Sequence, residues 1–161
     1  MLLTAVAFPT IVLAVHILAV VAAFGVVIAY PVIALTVARL DRRSVPVLHQ
    51  VRVRVARALV NPGLLLVVIA GVYLAAHGHE WHRFFVQWGI GAAIVIGGLE
   101  GSLVIRQQKR LGELAARDIG AARGSEVNWG EDYLAARGRA DLVSVVMALL
   151  VAATVVVMVV K

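Results

Sequence analysis

The chain has 161 residues, 62% of them hydrophobic, with a formal net charge of +6 and no cysteine. Soluble domains are about 45–50% apolar, so an excess of this size excludes a soluble globular protein and requires lipid as solvent. The missing thiol excludes disulfides, thiolate metal sites, cysteine-ligated iron–sulfur clusters and c-type haem attachment.

Residues 1–38 contain no Asp, Glu, Lys or Arg, and crossing hydrocarbon takes about 20 mostly apolar residues. The pattern predicts four spans, roughly 8–36, 59–76, 84–105 and 140–160. Only helices and closed barrels satisfy their backbone in lipid, and the runs are continuous rather than alternating. The expected fold is all-α, a polytopic membrane four-helix bundle forming a single transmembrane domain over residues 1–161.

The first span lacks the basic n-region of a cleaved signal peptide and is expected to be retained. Pro9 and Pro31 predict that its ends bend or lie at the interface. His16, Ala19, Ala23, Val27, Tyr30 and Ala34 fall near one side of a helix at its 3.6-residue period. His16 is therefore expected to point into the bundle, above a column of mostly small residues. An ionisable group at membrane depth is a functional hypothesis by default. Imidazole can ligate haem iron or another metal, or shuttle protons. The plainer alternative is a neutral histidine bonded to another helix's backbone or hydroxyl.

Residues 39–57 hold Arg39, Arg42, Arg43, Arg52, Arg54 and Arg57 against one acid, Asp41; residues 106–139 hold Arg106, Lys109, Arg110, Arg117, Arg123, Arg137 and Arg139. The positive-inside rule assigns both segments to the cytoplasm as loops and puts the two termini and the 77–83 turn outside. The implied location is a bacterial inner membrane. Insertion and anionic headgroups account for the arginines, so the expected partner is the lipid bilayer and not nucleic acid. Leu48, Val51, Val55 and Leu59 have the spacing of an amphipathic surface helix, although the alternation over 51–55 equally suits a strand. The second span opens at Asn61-Pro62-Gly63, read as an N-cap followed by proline in the first turn.

His77, His79, Glu80 and His82 crowd the next turn, where three imidazoles and a carboxylate can gather around zinc or copper. The competing reading is a solvated interfacial turn anchored by Trp81 and Trp88. In either case His77 or His82 is a candidate partner for His16, and His79 and His82 share a face if the turn is helical. The third span carries Gly89, Ala93, Gly97 and Gly101 at every fourth position, and the fourth carries Ala140, Ser144, Ala148 and Ala152. Such faces allow close helix packing, within a chain or between subunits. Glu100 is expected to pair with Arg57 or Arg106, or to relay protons. Leu111, Leu114, Ala115 and Ile119 continue a helix into the cytoplasm, residues 120–133 read as a loop, and Asp141 is placed to favour a helix N-terminus. The chain carries no nucleotide-binding glycine loop, hydrolase elbow or metalloprotease motif.

At these residues a resemblance emerges. His16 to Val21, Phe24-Gly25 and Tyr30-Pro31 resemble the first helix of the HemJ-type protoporphyrinogen oxidases, and of the copper-resistance-D-like and uncharacterised four-helix bacterial membrane families related to them. Asn61-Pro62-Gly63 with Gly71 is similar to the opening of their second helix, Trp81 with Arg83 to their third, and Arg139 with the closing Val159-Val160-Lys161 to their last. The resemblance implies that His16 is a haem ligand. The family's third-helix lysine is absent, with Arg83 and Gln87 standing nearest. Its Asn-Glu-x-Pro element is replaced by Ala140-Asp141-Leu142-Val143. The expectation is a non-enzymatic relative that binds b-type haem through His16, with His77, His82 or a symmetry-related His16 as second ligand. The alternative is a non-catalytic accessory or structural subunit, and a homo-oligomer or larger membrane complex is expected in both cases.

Overall fold

The computed structural model describes residues 8–37, 42–122 and 126–160. Arg39, Asp41, Arg123 and Lys161 lie outside the described residues. The helices are α1 (Phe8–Val37), α2 (Val45–Val55), α3 (Asn61–His77), α4 (Phe84–Gly98), α5 (Ile105–Ala121) and α6 (Glu131–Val160). A π-helical segment, π1 (Ala56–Val60), joins α2 to α3, and a second, π2 (Leu99–Val104), joins α4 to α5. Among the described residues there is no strand, which settles the 51–55 ambiguity in favour of helix.

Four helical rods result, each long and apolar enough to cross a membrane: Phe8–Thr36, Arg42–His77, Phe84–Ala121 and Glu131–Val160. The chain is thus a multi-pass integral membrane protein with an all-α four-helix bundle. α1 packs on α3 and α6, and α4 packs on both of these, so the four rods close into a ring. Its centre holds Ala23, Phe24, Val27, Val60, Leu64, Ala92, Ile96, Met147 and Val151. Apolar residues cover the outside; Leu35 is 69% exposed and Val159 is 76% exposed. Exposure on that scale is tolerable only against lipid, because a soluble monomer rarely shows large contiguous apolar patches.

The arginine-rich segments differ from the expected loops. Residues 45–60 run without a break into the second span, and 105–121 extend the third, so α2 and α5 pair with each other beside the start of α6. A second core forms there from Val45, Leu111, Ala115, Tyr133 and Ala140. Asn61 has helical angles (φ −64°, ψ −47°) and is not an N-cap. Pro62 lacks the N–H that an α-helix donates four residues back, and its ring crowds that carbonyl. The wide turn at π1, immediately before it, accommodates both defects. Each π turn also adds a residue to the winding, so an apolar stripe cannot hold one face through it. The buried positions are Val45, Val53, Ala56 and Val60, while Val51 and Leu59 are exposed. α2 thus continues the rod Arg42–His77 rather than forming a separate helix.

The small-residue faces are used within the bundle. Gly63 lies against Ala23, where an added Cβ would stand 3.0 Å from the Ala23 Cβ. At Gly89 an added Cβ would overlap the methyl of Met158. Ala93 and Ala140 are buried. Asp141 lies ten residues inside α6 and bonds Arg137 one turn back at 3.5 Å, so it does not serve the helix N-terminus; Glu131 and Asp132 occupy that first turn.

Candidate functional site

Two polar regions interrupt the apolar bundle, about 20 Å apart along α1 at 1.5 Å per residue. The first surrounds His16 at the end carrying the histidine turn. The face predicted for α1 is present: Ala19, Ala23, Val27 and Tyr30 are buried, and His16 and Ala34 are half-buried. The His16 Nδ1–H donates to the Val67 carbonyl of α3 at 3.1 Å. A carbonyl only accepts, so this bond fixes the tautomer and leaves Nε2 with its lone pair. It is the interhelix backbone bond of the plainer reading, and it is also the second-ring-nitrogen contact that ligating histidines commonly make. Gly71 gives the ring its space, because a Cβ there would stand 3.3 Å from His16 Cε1.

His16 opens on a cavity of about 430 Å³ that is also lined by His77, Glu80, Gly71, Gly89 and Met158. The structure thus places His77, which is exposed, and His16 on the lining of one cavity. The His77 ring is itself stacked on Tyr73, with centroids 5.9 Å apart. His79 and His82 do not line this cavity, and both are exposed. The turn is not helical, and His79 has a left-handed φ of 55°, so the expected His79–His82 face is not formed. Among the described residues no three His, Cys, Asp or Glu side chains gather as a metal ion requires. Arg83 is exposed in the turn, and its backbone N–H donates to the Glu80 carbonyl at 2.9 Å. Met158 brings a thioether into the same cavity; nothing in its apolar surroundings in the sequence marks it.

The second region lies at the basic end. Glu100, in π2, is 1% exposed. The expected partners, Arg57 and Arg106, are exposed, and Glu100 has no ion pair among the described residues. The cation whose charge acts on it is Arg52. The Arg52 guanidinium lies 4.1 Å from the Tyr30 ring centre, and Nη2 donates to Ser144 Oγ at 2.6 Å. Ser144 in turn donates to the Ala140 carbonyl. Tyr30 Oη, Arg52 Nε, Asn61 Oδ1 and Glu100 Oε2 are buried without a hydrogen-bond partner. Beside them, His49 Nδ1–H donates to Gln108 Oε1 at 2.7 Å, and the Tyr133 hydroxyl donates to His49 Nε2 at 3.3 Å.

This second cluster was not legible as a site, because Arg52 and His49 stand in what reads as a cytoplasmic loop. The one available signal was Pro62, which marks a distorted helix rather than a new one.

No family model, curated protein or solved structure matches this chain significantly.

Proposed function

We propose that this membrane protein binds b-type haem at the histidine end, with His16 Nε2 as an axial ligand. The observation that carries the reading is the His16–Val67 bond, which orients the ring and frees Nε2 beside a cavity of about 430 Å³. Gly71 and Gly89 also line it, and the space their missing side chains leave is taken by the His16 ring and the Met158 methyl, so a macrocycle would need Met158 to swing aside. His77 and Met158 line the same cavity and are the two ligand types available opposite His16. His82 is outside that lining and is the weaker choice. The likeness of the first helix to the HemJ-type families supports the same assignment. Bound haem supplies one-electron redox chemistry; the chain's part is to ligate, orient and exclude water.

No arginine lines the cavity, and the exposed Arg83 of the adjoining turn would be the nearby cation in sequence for the propionates. The accessory-subunit reading rests on the small-residue faces and on the lack of convergent polar groups. Gly89, Ala93, Ala140 and Ser144 pack inside the bundle, whereas Gly101 and Ala152 are exposed and stay open to a partner. The deciding experiment is an absorption spectrum of the detergent-purified full chain, as isolated and after titration with haemin. A Soret band that is lost in His16→Ala and retained in His79→Ala is expected. Haemin that fails to bind, or binds the His16→Ala variant equally well, overturns the reading.

A further inference from the structure

The basic-end cavity carries a second, independent inference. It encloses about 240 Å³ between α1 and α2, with Tyr30 and Arg52 on its wall. Most of the lining is apolar, including Ala29, Ile33, Val51 and Val55. Ile33 and Val51 are 42% and 47% exposed, so the lining continues to the outer surface of the bundle.

Glu100 acts on the charge of Arg52 from outside the lining, but no carboxylate among the described residues pairs with Arg52 directly. Arg137 is matched by Asp141. His49 is bonded at both nitrogens, to Gln108 and Tyr133. Arg52 has no ion pair among the described residues, and its Nε has no hydrogen-bond partner. Glu100 does not line this cavity. A half-buried guanidinium is best satisfied by an anion or a full set of acceptors. Arg52 bonds one serine oxygen and lies over an aromatic face, with Glu100 near enough to act on its charge but not to pair with it. Its planar fork matches a carboxylate in a bidentate pair.

We propose that this cavity binds the carboxylate head of a fatty acid, held by Arg52, with the acyl chain leaving between α1 and α2 into the bilayer. The lateral apolar wall, which includes Ala29, Ile33, Val51 and Val55, suits an acyl chain. Tyr30, stacked against Arg52, keeps the guanidinium from turning away from the cavity.

The test uses the full chain in phosphatidylcholine vesicles, with spin-labelled stearic acid and spin-labelled phosphatidylcholine compared by electron paramagnetic resonance. Saturable immobilisation of stearate in preference to phosphatidylcholine is expected. It should weaken about tenfold or more in Arg52→Gln, which removes the charge-assisted contact. Ala29→Phe fills the cavity while keeping the Arg52 charge and should have the same effect, so it decides the matter if Arg52→Gln does not fold. The exposed Arg57→Gln variant should bind as the parent does. Stearate held no better than phosphatidylcholine, or held equally by the parent and both cavity variants, overturns the proposal; in that case Arg52 serves only to neutralise Glu100. Spin-labelled phosphatidic acid that binds as tightly as stearate overturns the single-chain carboxylate assignment.

Discussion

The Arg52 guanidinium carbon lies 4.1 Å from the centre of the Tyr30 ring, which ties α2 to α1 at the basic end of the bundle. The ring face makes this contact, and the hydroxyl makes no hydrogen bond of normal geometry. The two functions of tyrosine can therefore be separated. Tyr30→Phe keeps the face and should change stability by less than about 1 kcal/mol. Tyr30→Ala loses the ring and should cost roughly 3–5 kcal/mol, as large-to-small core changes do, with a further loss of about 0.5–2 kcal/mol from the cation–π contact. Thermal denaturation of the detergent-purified variants, followed by circular dichroism, measures both. Equal losses for Phe and Ala would show that the hydroxyl carries the contact.

How far the sequence revealed this depended on which helices are regular. α1 has one period from Phe8 to Val37, so its buried face could be read directly, and His16 with it. The rods 42–77 and 84–121 each contain a π turn. An added residue rotates the following face by about 100°, so the register of Leu48, Val51 and Val55 in α2 is not carried on to Leu59. Arg52 and His49 precede the π turn and were missed for a different reason. Arginines between valines read as a solvated loop, whereas the fold turns Arg52 inward against Ser144. Glu100 was recognised as unusual, but its surroundings depend on helices distant in sequence.

Gly63 marks the closest approach of α1 and α3. A Cβ built there would meet the Ala23 Cβ at 3.0 Å, and neither side chain has a rotamer to escape into. Gly63→Ala must then push the helices apart, at a cost of about 1–3 kcal/mol. Gly91 is the control, since a Cβ there meets nothing within 4 Å. Gly91→Ala should be neutral or stabilising by up to about 1 kcal/mol through helix propensity. Unfolding curves of the two variants in one detergent make the comparison, and similar losses would refute the close approach. The same separation of α1 from α3 should disturb the His16–Val67 bond, so Gly63→Ala is also expected to weaken any haem binding.

Gln108 is 2% exposed and its amide oxygen accepts from His49 at 2.7 Å. This bond joins α5 to α2, the pairing that extends the bundle beyond the apolar core. Gln108→Leu preserves size and removes the acceptor, leaving a buried imidazole N–H unpaired at a cost of about 1–3 kcal/mol. Gln108→Glu keeps the acceptor and should lose less. The readout is backbone hydrogen exchange over 45–55 and 105–121, which should quicken in both segments together in the leucine variant. Unchanged exchange would show that the α2–α5 contact is held by Leu111 and Ala115 alone.

The orientation of the bundle follows from where the arginines stand. Arg54, Arg57, Arg106 and Arg110 are exposed at one end, and the opposite turn carries the exposed His79 and His82. Translocating several guanidinium groups is costly, and cytoplasmic retention of Lys and Arg near span ends is the general outcome. The basic end is thus expected to face the cytoplasm, with both termini outside. The chain has no cysteine, so a single introduced one reports its own side. His82→Cys and Gly120→Cys place a thiol at exposed positions at opposite ends; at Gly120 a Cβ meets nothing within 4 Å. A membrane-impermeant maleimide applied to intact cells should label the His82→Cys protein, and should reach Gly120→Cys only after the membrane is opened. The reverse pattern would invert the bundle and place the His16 cavity on the cytoplasmic side.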